Sequence, residues 1–213
     1  MIKDYFKKID TQEKAYWLGF LYADGCVSKD FKSIIMQLHI QDIKHIERFK
    51  KDIDSHSDIK ISKDGKYAKI VVCCKEMCMD LNDKGCVPAK SLILEYPSEN
   101  IVPKELIIHF IRGYFDGDGC ISYTEGYRKR PDLKSDKLYL RKKWDFKIVG
   151  TYSMMNGIAK ELNLTNKLYN QIKGKNNYTL KCGGTNKVRD IMSRLYNNST
   201  VHLERKYEKY LLI

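Results

Sequence analysis

Two apolar runs of one pattern occur in this chain, at residues 17–25 and 111–119. Each run has glycine as its third residue and ends in a small residue, Asp and Gly, followed by Cys, a β-branched residue and Ser. An apolar run closed by glycine predicts a helix that ends there. The repetition predicts a two-fold arrangement that brings the carboxylates of Asp24 and Asp118 together.

The segments after the two runs repeat one order of elements. Alternating apolar and polar residues predict strands, and Asp-Gly at 64–65 predicts a hairpin turn. In the first half we expect strands at 33–40, 59–62 and 67–74 and helices at 42–53 and 76–82, the latter ended by Gly85. In the second half we expect a long hairpin over 121–149, a helix at 153–162, strands at 167–172 and 178–182, and a helix at 186–195 followed by a tail.

This order predicts an α+β fold of two pseudo-symmetric units. The first unit spans residues 1–96, a linker spans 97–103, and the second unit spans 104–213. Pro103 suits the first residue of the next helix, and Asp10 and Glu13 have the spacing of a capping box at the first helix. Because the linker is short, we expect the two units to pack tightly.

Composition narrows the class of protein. Of the 213 residues 43% are hydrophobic, enough for a core, but no run of 18 apolar residues exists, so no membrane span is expected. The N-terminal residues lack the apolar stretch of a signal peptide, and the seven cysteines therefore indicate free thiols in an intracellular, reducing compartment. The four clustered cysteines, at 73, 74, 78 and 86, lack the paired spacing of a zinc site.

The net charge of +12 is concentrated in the second half. Residues 1–103 carry 17 Lys+Arg and 16 Asp+Glu, whereas residues 104–213 carry 22 and 11. A polyanion is the natural partner of such a surface, and nucleic acid is the commonest one. A basic surface that serves solubility alone is the other interpretation.

Small residues on the two predicted helices permit close contact. Glycine inside a helix costs up to about 1 kcal/mol relative to alanine, so Gly19 and Gly113 need a packing reason. Ala23 and Gly117, one turn later, continue the same thin face. We expect the helices to touch at these four residues and to end at left-handed glycines, Gly25 and Gly119.

The two acids need compensation at these helix ends. A helix C-terminus carries partial negative charge, and adjacent carboxylates repel one another. A divalent cation removes both problems, and Mg²⁺ prefers carboxylate oxygens. Metal ions held in this way activate water for phosphodiester hydrolysis, so the pair predicts a metal-dependent nuclease. For either Asp-Gly alone, a simple turn would be the better explanation.

Residues 17–25 and 111–119 resemble the two LAGLIDADG (dodecapeptide) motifs of homing endonucleases, and the resemblance covers nearly the whole chain. It implies the monomeric two-motif branch, in which two αββαββα units pack through the motif helices and their sheets form a saddle over double-stranded DNA. Members cleave both strands of a long site. The resemblance places catalytic, metal-binding acids at Asp24 and Asp118, with Gly25 and Gly119 in the metal site, and implies Mg²⁺ or another divalent cation.

The family often has a lysine near each metal site, where it orients water or stabilises charge. Lys90 lies in a Gly-Cys-x-Pro-x-Lys-Ser stretch similar to one in many members, and Lys206, or its neighbour Arg205, is the counterpart in the second half. The motif copies differ where Tyr22 stands against Asp116, and we expect Asp116 to form hydrogen bonds at the helix end.

The strands are expected to recognise DNA, because a two-stranded ribbon fits the major groove and alternate residues share one face. The candidate contacts are polar or basic residues of the strands and their turns: Ser28, Lys32, Gln37, His39, Lys60, Lys66, Lys69, Arg128, Lys129, Arg130, Lys134, Arg141, Lys143, Lys173, Lys175 and Lys181. Trp17 and Trp144 are expected in the core.

Two other functions stay open at this point. The same fold serves RNA maturases, which would make intron RNA a partner, and it could serve a DNA-binding regulator that has lost catalysis. Acids at both catalytic positions disfavour the regulator and are neutral towards the maturase. The final Tyr-Leu-Leu-Ile differs from the His-Asn of a splice junction, so we expect an intron-encoded or free-standing protein rather than an intein.

Overall fold

Each half of the chain folds as one α+β unit. The computed structural model describes residues 1–129, 138–164, 168–170 and 174–213. The first unit contains helix α1 (Gln12–Asp24), strands β1 (Gly25–Val27) and β2 (Ser33–His39), helix α2 (Ile43–Asp52), strands β3 (Ile59–Ile61) and β4 (Tyr67–Cys73), and helix α3 (Lys75–Asp83). The second unit contains α4 (Ile107–Asp118), β5 (Gly119–Lys129), β6 (Leu138–Gly150), α5 (Tyr152–Glu161), β7 (Leu168–Asn170), β8 (Tyr178–Gly183), α6 (Thr185–Tyr196) and α7 (Glu204–Leu211). The α+β prediction is confirmed.

The two sheets have the same connectivity. Both are antiparallel, with strand orders β1-β2-β4-β3 and β5-β6-β8-β7. One face of each sheet packs against helices of its own unit: Ile34 and Ile70 are buried in the first sheet, and Phe146 and Ile148 in the second. Because side chains alternate along a strand, the residues between them point away from the helices. We call this second face the open face of each sheet.

Helices α1 and α4 form the centre of the molecule. Residues 15–22 of α1 and 110–116 of α4 are buried without interruption. A helix that is apolar all round must be enclosed on every side, which explains why these runs lack an amphipathic pattern. Trp17 belongs to this core, and its indole donates to Asp52 at 2.8 Å. Trp144 is only half-buried, at the side of Tyr123 on the long hairpin.

Three local expectations were wrong. The cap of α1 is Thr11, whose hydroxyl accepts from the Lys14 amide at 3.2 Å, whereas the Asp10 carboxylate pairs with the Lys14 ammonium. Pro103 precedes a 3₁₀ turn (Lys104–Leu106) instead of starting α4. The expected tail contains α7, whose single fully buried residue is Lys206.

Other boundaries agree with the sequence pattern. Gly85 follows α3 with φ of +89° and donates its amide to the Asn82 carbonyl, as expected of a helix terminator. Helices α2, α3, α5 and α6 lie within one residue of their expected ends. No helix in the described ranges has the length and apolar character needed to cross a membrane.

Candidate active site at the ends of the central helices

The two central helices touch through their glycines. A Cβ atom at Gly19 would meet the main chain of Phe110, and one at Gly113 would meet the main chain of Tyr16. Each contact lies three residues before the other glycine, so the two contacts are reciprocal. The helices therefore cross as a pseudo-two-fold pair, at a distance that only glycine permits.

This crossing brings both acids to one end of the pair. One turn beyond the glycines, the Ala23 methyl group lies against Gly117. A Cβ atom at Gly117 would also be 3.4 Å from the main-chain nitrogen of Asp24. Asp24 is exposed and Asp118 is half-buried. Solvent and solutes can thus reach both carboxylates.

The surroundings of both acids disfavour their charged forms. Desolvation by neighbouring protein atoms raises the pKa of Asp24, although solvent reaches its carboxylate, and Lys206 and Lys90 oppose the rise. For Asp118, desolvation and the charge of Asp24 raise the pKa to about 6, again against the two lysines. A cation bound between two acids that repel one another in this way would offset the repulsion.

The glycines that follow the acids are not left-handed, contrary to expectation. Gly25 and Gly119 have φ of −90° and −98°, which is extended backbone, and each begins a strand. Glycine is needed for space instead. A Cβ atom at Gly25 would lie 2.7 Å from the Cα of Leu21, and one at Gly119 would lie 2.5 Å from the carbonyl oxygen of Phe115. The missing side chains let the chain pass directly from helix to strand.

Lys90 and Lys206 occupy equivalent places behind the acids. Both are buried, with 7% and 2% of their surface exposed. The Lys90 ammonium donates to the Gly25 carbonyl, and the Lys206 ammonium donates to three carbonyls at the end of α4, among them Gly119 at 2.6 Å. A cation at a helix C-terminus offsets the partial negative charge there. Burial lowers the pKa of Lys206 to about 8, and the charge of Asp116 opposes this fall.

Arg205 has a different role from its neighbour. Its guanidinium pairs with both carboxylate oxygens of Asp42, at 3.0 and 3.1 Å, and so links the second unit to the first. Asp42 in turn raises the pKa of Asp24 through its charge. This inter-unit pair has no signal in the local sequence, because its members are 163 residues apart.

The acid pair suits a hard divalent cation with few protein ligands. In the ranges that the structure describes, no three His, Cys, Asp or Glu side chains converge on a metal position. Mg²⁺ is often bound through only one or two carboxylates, with waters and substrate phosphates completing its shell. The carbonyl oxygens of Gly25 and Gly119, the other expected ligands, accept from the lysines. The donor set therefore fits Mg²⁺.

Part of the expected DNA-binding set forms a row across the first open face. Gln37 lies opposite Lys69, which lies opposite Lys60 on the next strand. His39 is exposed two residues further along β2, on the same face. This row supplies three adjacent polar side chains at right angles to the strands.

Other expected contacts lie in turns. The Ser28 hydroxyl accepts from the amides of Lys32 and Ser33 and so shapes the β1–β2 turn. Lys66 is in the β3–β4 turn, 4.0 Å from Asp64. Lys175 is exposed in the β7–β8 connection. Arg130, Lys134 and Lys173 lie outside the described residues.

The register of the long β5–β6 ribbon separates its basic residues into two faces. The basic residues of the second open face are Arg128, Arg141, Lys143, Lys147 and Lys181. Lys129 alternates to the other face, on the side of Lys142. Lys147 was missed from the sequence, although its spacing from Arg141 and Lys143 along one strand could have revealed it.

The second half of the chain belongs to the LAGLIDADG family. The family model described as "LAGLIDADG endonuclease" matches residues 111–213, which contain the second motif and its unit, and the first half repeats the motif and the fold. The comparison with curated proteins gives no match.

Solved structures share the fold over nearly the full length. The meganuclease I-SmaMI bound to uncleavable DNA has 11% identity and a TM-score of 0.62, over 92% of this chain and 87% of that one. The LAGLIDADG homing endonuclease I-LtrWI bound to target DNA has 13% identity and a TM-score of 0.61, over 95% and 90%. The meganuclease I-CpaMI bound to uncleaved DNA has 12% identity and a TM-score of 0.61, over 93% and 89%. The two halves of the chain together thus form the two-unit LAGLIDADG architecture.

Proposed function

We propose that this chain is a site-specific homing endonuclease that acts as a monomer and hydrolyses one phosphodiester bond in each strand of double-stranded DNA. The observation that carries the proposal is the pairing of Asp24 and Asp118 at the adjoining ends of α1 and α4, each backed by a buried lysine. The DNA-bound state of the three structural neighbours supports DNA as the substrate.

Asp24 and Asp118 would hold Mg²⁺ or another divalent cation. When bound, such ions lower the pKa of water and stabilise the leaving oxygen of a phosphodiester. Lys206 contributes fixed positive charge rather than a proton, because its three N–H groups are all donated to main-chain carbonyls. Lys90 has the equivalent place beside Asp24. Each strand of DNA would thus meet one acid and one buried cation.

The open faces would contact the DNA on either side of this centre. Strands β5 and β6 have 11 and 13 residues, whereas β1 and β2 have 3 and 7. At about 3.3 Å per residue, β6 extends roughly 20 Å further than β2. The second unit also has the larger basic surface. We therefore propose an asymmetric target in which the second unit contacts the longer half.

Selection of cleaved sites from a library of random duplexes in Mg²⁺ tests this function. We expect one asymmetric sequence to be recovered and cut in both strands. Asp24→Asn and Asp118→Asn should abolish cleavage while DNA binding in Ca²⁺ persists. Asp10→Asn is the matched control, because Asp10 is an exposed carboxylate paired with Lys14 far from the site.

Two results would contradict this function. Cleavage that survives both active-site substitutions would remove the role of the acid pair. Specific binding to structured RNA without DNA cleavage would favour the maturase function instead.

A further inference from the structure

Asp116 is the most completely enclosed carboxylate near the site. None of its surface is exposed. Its oxygens accept from the Tyr16 hydroxyl at 2.7 Å, from the Leu203 amide at 2.7 Å, and from the Tyr196 hydroxyl. Three donors around one buried carboxylate satisfy a charge that would otherwise be costly. These partners come from α1, from α6 and from the residue before α7.

The bond to Leu203 fixes the start of α7, and α7 carries Lys206. The Leu203 carbonyl accepts from the Lys206 amide at 2.9 Å, which forms the first turn. The Lys206 ammonium then donates to the carbonyls of Phe115 and Asp116, at 2.6 and 2.7 Å, in addition to Gly119. Asp116 thus contacts this segment twice, with its side chain at 203 and its main chain at 206. The geometry leaves Lys206 little freedom to move relative to α4.

The first unit holds its lysine differently. Tyr22 stands at the motif position of Asp116, and its hydroxyl donates to the Lys84 carbonyl. The ammonium of Lys90 donates to the Gly25 carbonyl. In this described part of the first unit, the hydroxyl and the carbonyls that make these hydrogen bonds are uncharged. A change at Asp116 therefore affects the contacts of Lys206 and of Tyr16 in α1, but none of the hydrogen bonds that hold Lys90.

We propose, on the basis of the nuclease function proposed above, that Asp116 is the positioning residue for the second half of the active site. It holds Lys206 against the end of α4 and so controls cleavage of one DNA strand. The other strand depends on Lys90 and is cleaved independently of Asp116.

The test is strand-resolved cleavage of a duplex that carries the selected site, with a different label on each strand. Asp116→Asn keeps the shape of the side chain but replaces an acceptor by a donor among three donors. We expect the rate of one strand to fall about 10- to 100-fold, as for other supporting groups of catalytic sites, while the other strand keeps its rate. On a supercoiled plasmid with the same site, nicked circles should accumulate. Tyr22→Phe, at the matching position of the first motif, should not slow the strand that Asp116→Asn slows.

A double-mutant cycle shows whether Asp116 acts through Lys206. Lys206→Met should slow the same strand, and adding Asp116→Asn should slow it little further, because the two residues form one unit. Should Asp116→Asn fail to fold, Tyr196→Phe removes one of the three donors and should give a weaker bias towards nicking in the same strand.

Three results would overturn the positioning role. These are equal slowing of both strands by Asp116→Asn, multiplicative slowing in the double mutant, and Tyr196→Phe cleavage without strand bias. A wild-type chain that cuts neither strand would instead contradict the nuclease function, and the positioning role with it. Both strands cut by the wild type, without a biased variant, would contradict the positioning role alone.

Discussion

Removal of the Asp118 charge should stabilise the metal-free protein. The folded state raises the pKa of this carboxyl to about 6 from an ordinary 3.8, through desolvation and repulsion from Asp24. That difference corresponds to about 3 kcal/mol at roughly 1.4 kcal/mol for each pH unit. Asp118 is partly open to water, which screens the repulsion, so we expect about 1–2 kcal/mol for Asp118→Asn. For a chain of this size, this gain is roughly 2–8 °C in Tm.

The sign of the effect defines a pH window. A carboxyl with a raised pKa binds its proton more tightly when folded, so its favourable contribution is complete below pH 3.8 and is lost as the pH rises through about 6. Thermal unfolding in EDTA should therefore show the full stabilisation by Asp118→Asn at about pH 8 and almost none at about pH 4. Added Mg²⁺ should stabilise the wild type and reduce the advantage.

For the control variant, the pKa of the replaced carboxyl is shifted in the opposite direction. Bonding to Lys14 lowers the pKa of the exposed Asp10 carboxyl, so Asp10→Asn should give no stabilisation at any pH. An Asp118→Asn protein that is less stable than the wild type at about pH 8 in EDTA would refute the claim that the two acids repel one another.

Three further predictions concern packing and the DNA face. Gly113→Ala should destabilise the fold by about 1–3 kcal/mol in urea unfolding, because its Cβ would meet the Tyr16 main chain. Gly126→Ala should not destabilise it, because Gly126 has open space around it. Equal effects of the two substitutions would contradict the close helix contact. Tyr96→Phe should leave the free energy of unfolding unchanged or raise it by up to about 1 kcal/mol, since the buried hydroxyl has no hydrogen-bond partner among the described residues; a loss of stability would reveal a partner. Arg141→Ala should weaken DNA binding, measured by fluorescence anisotropy, and should lower the slope of log affinity against log salt concentration by about one. Lys142→Ala, on the other face, should change neither. A larger effect of Lys142→Ala than of Arg141→Ala would place DNA on the helix side of the ribbon.

Local pattern was sufficient for most of the elements. Helices α2, α3, α5 and α6 follow from the spacing of apolar residues, and Gly85 ends α3 because it reaches positive φ without strain. The repeated motif was sufficient for the pairing of α1 and α4. Helix α7 escaped prediction because its only buried residue is a lysine, which no apolar pattern marks.

The sequence alone also misjudged the glycines after the acids. Asp-Gly is a common turn signal, and a left-handed glycine is the usual way to end a helix. Here the backbone stays extended, and the glycines make room for Leu21 and Phe115 of the helices before them. Glycine is required at both positions, but it is required by close packing and not by a left-handed backbone conformation.

By itself, the sequence determined the α+β class, the two-unit repeat and the two acids at adjoining helix ends, since these depend on local periodicity and on a pattern present twice. Only the tertiary structure decided which face of the β5–β6 ribbon each basic residue occupies, because one residue of register exchanges the faces. It also decided the partners of Asp116, since Tyr16 and Leu203 are 100 and 87 residues away in the chain. Burial of a charge beside distant donors is a property of the assembled core, and no local segment records it.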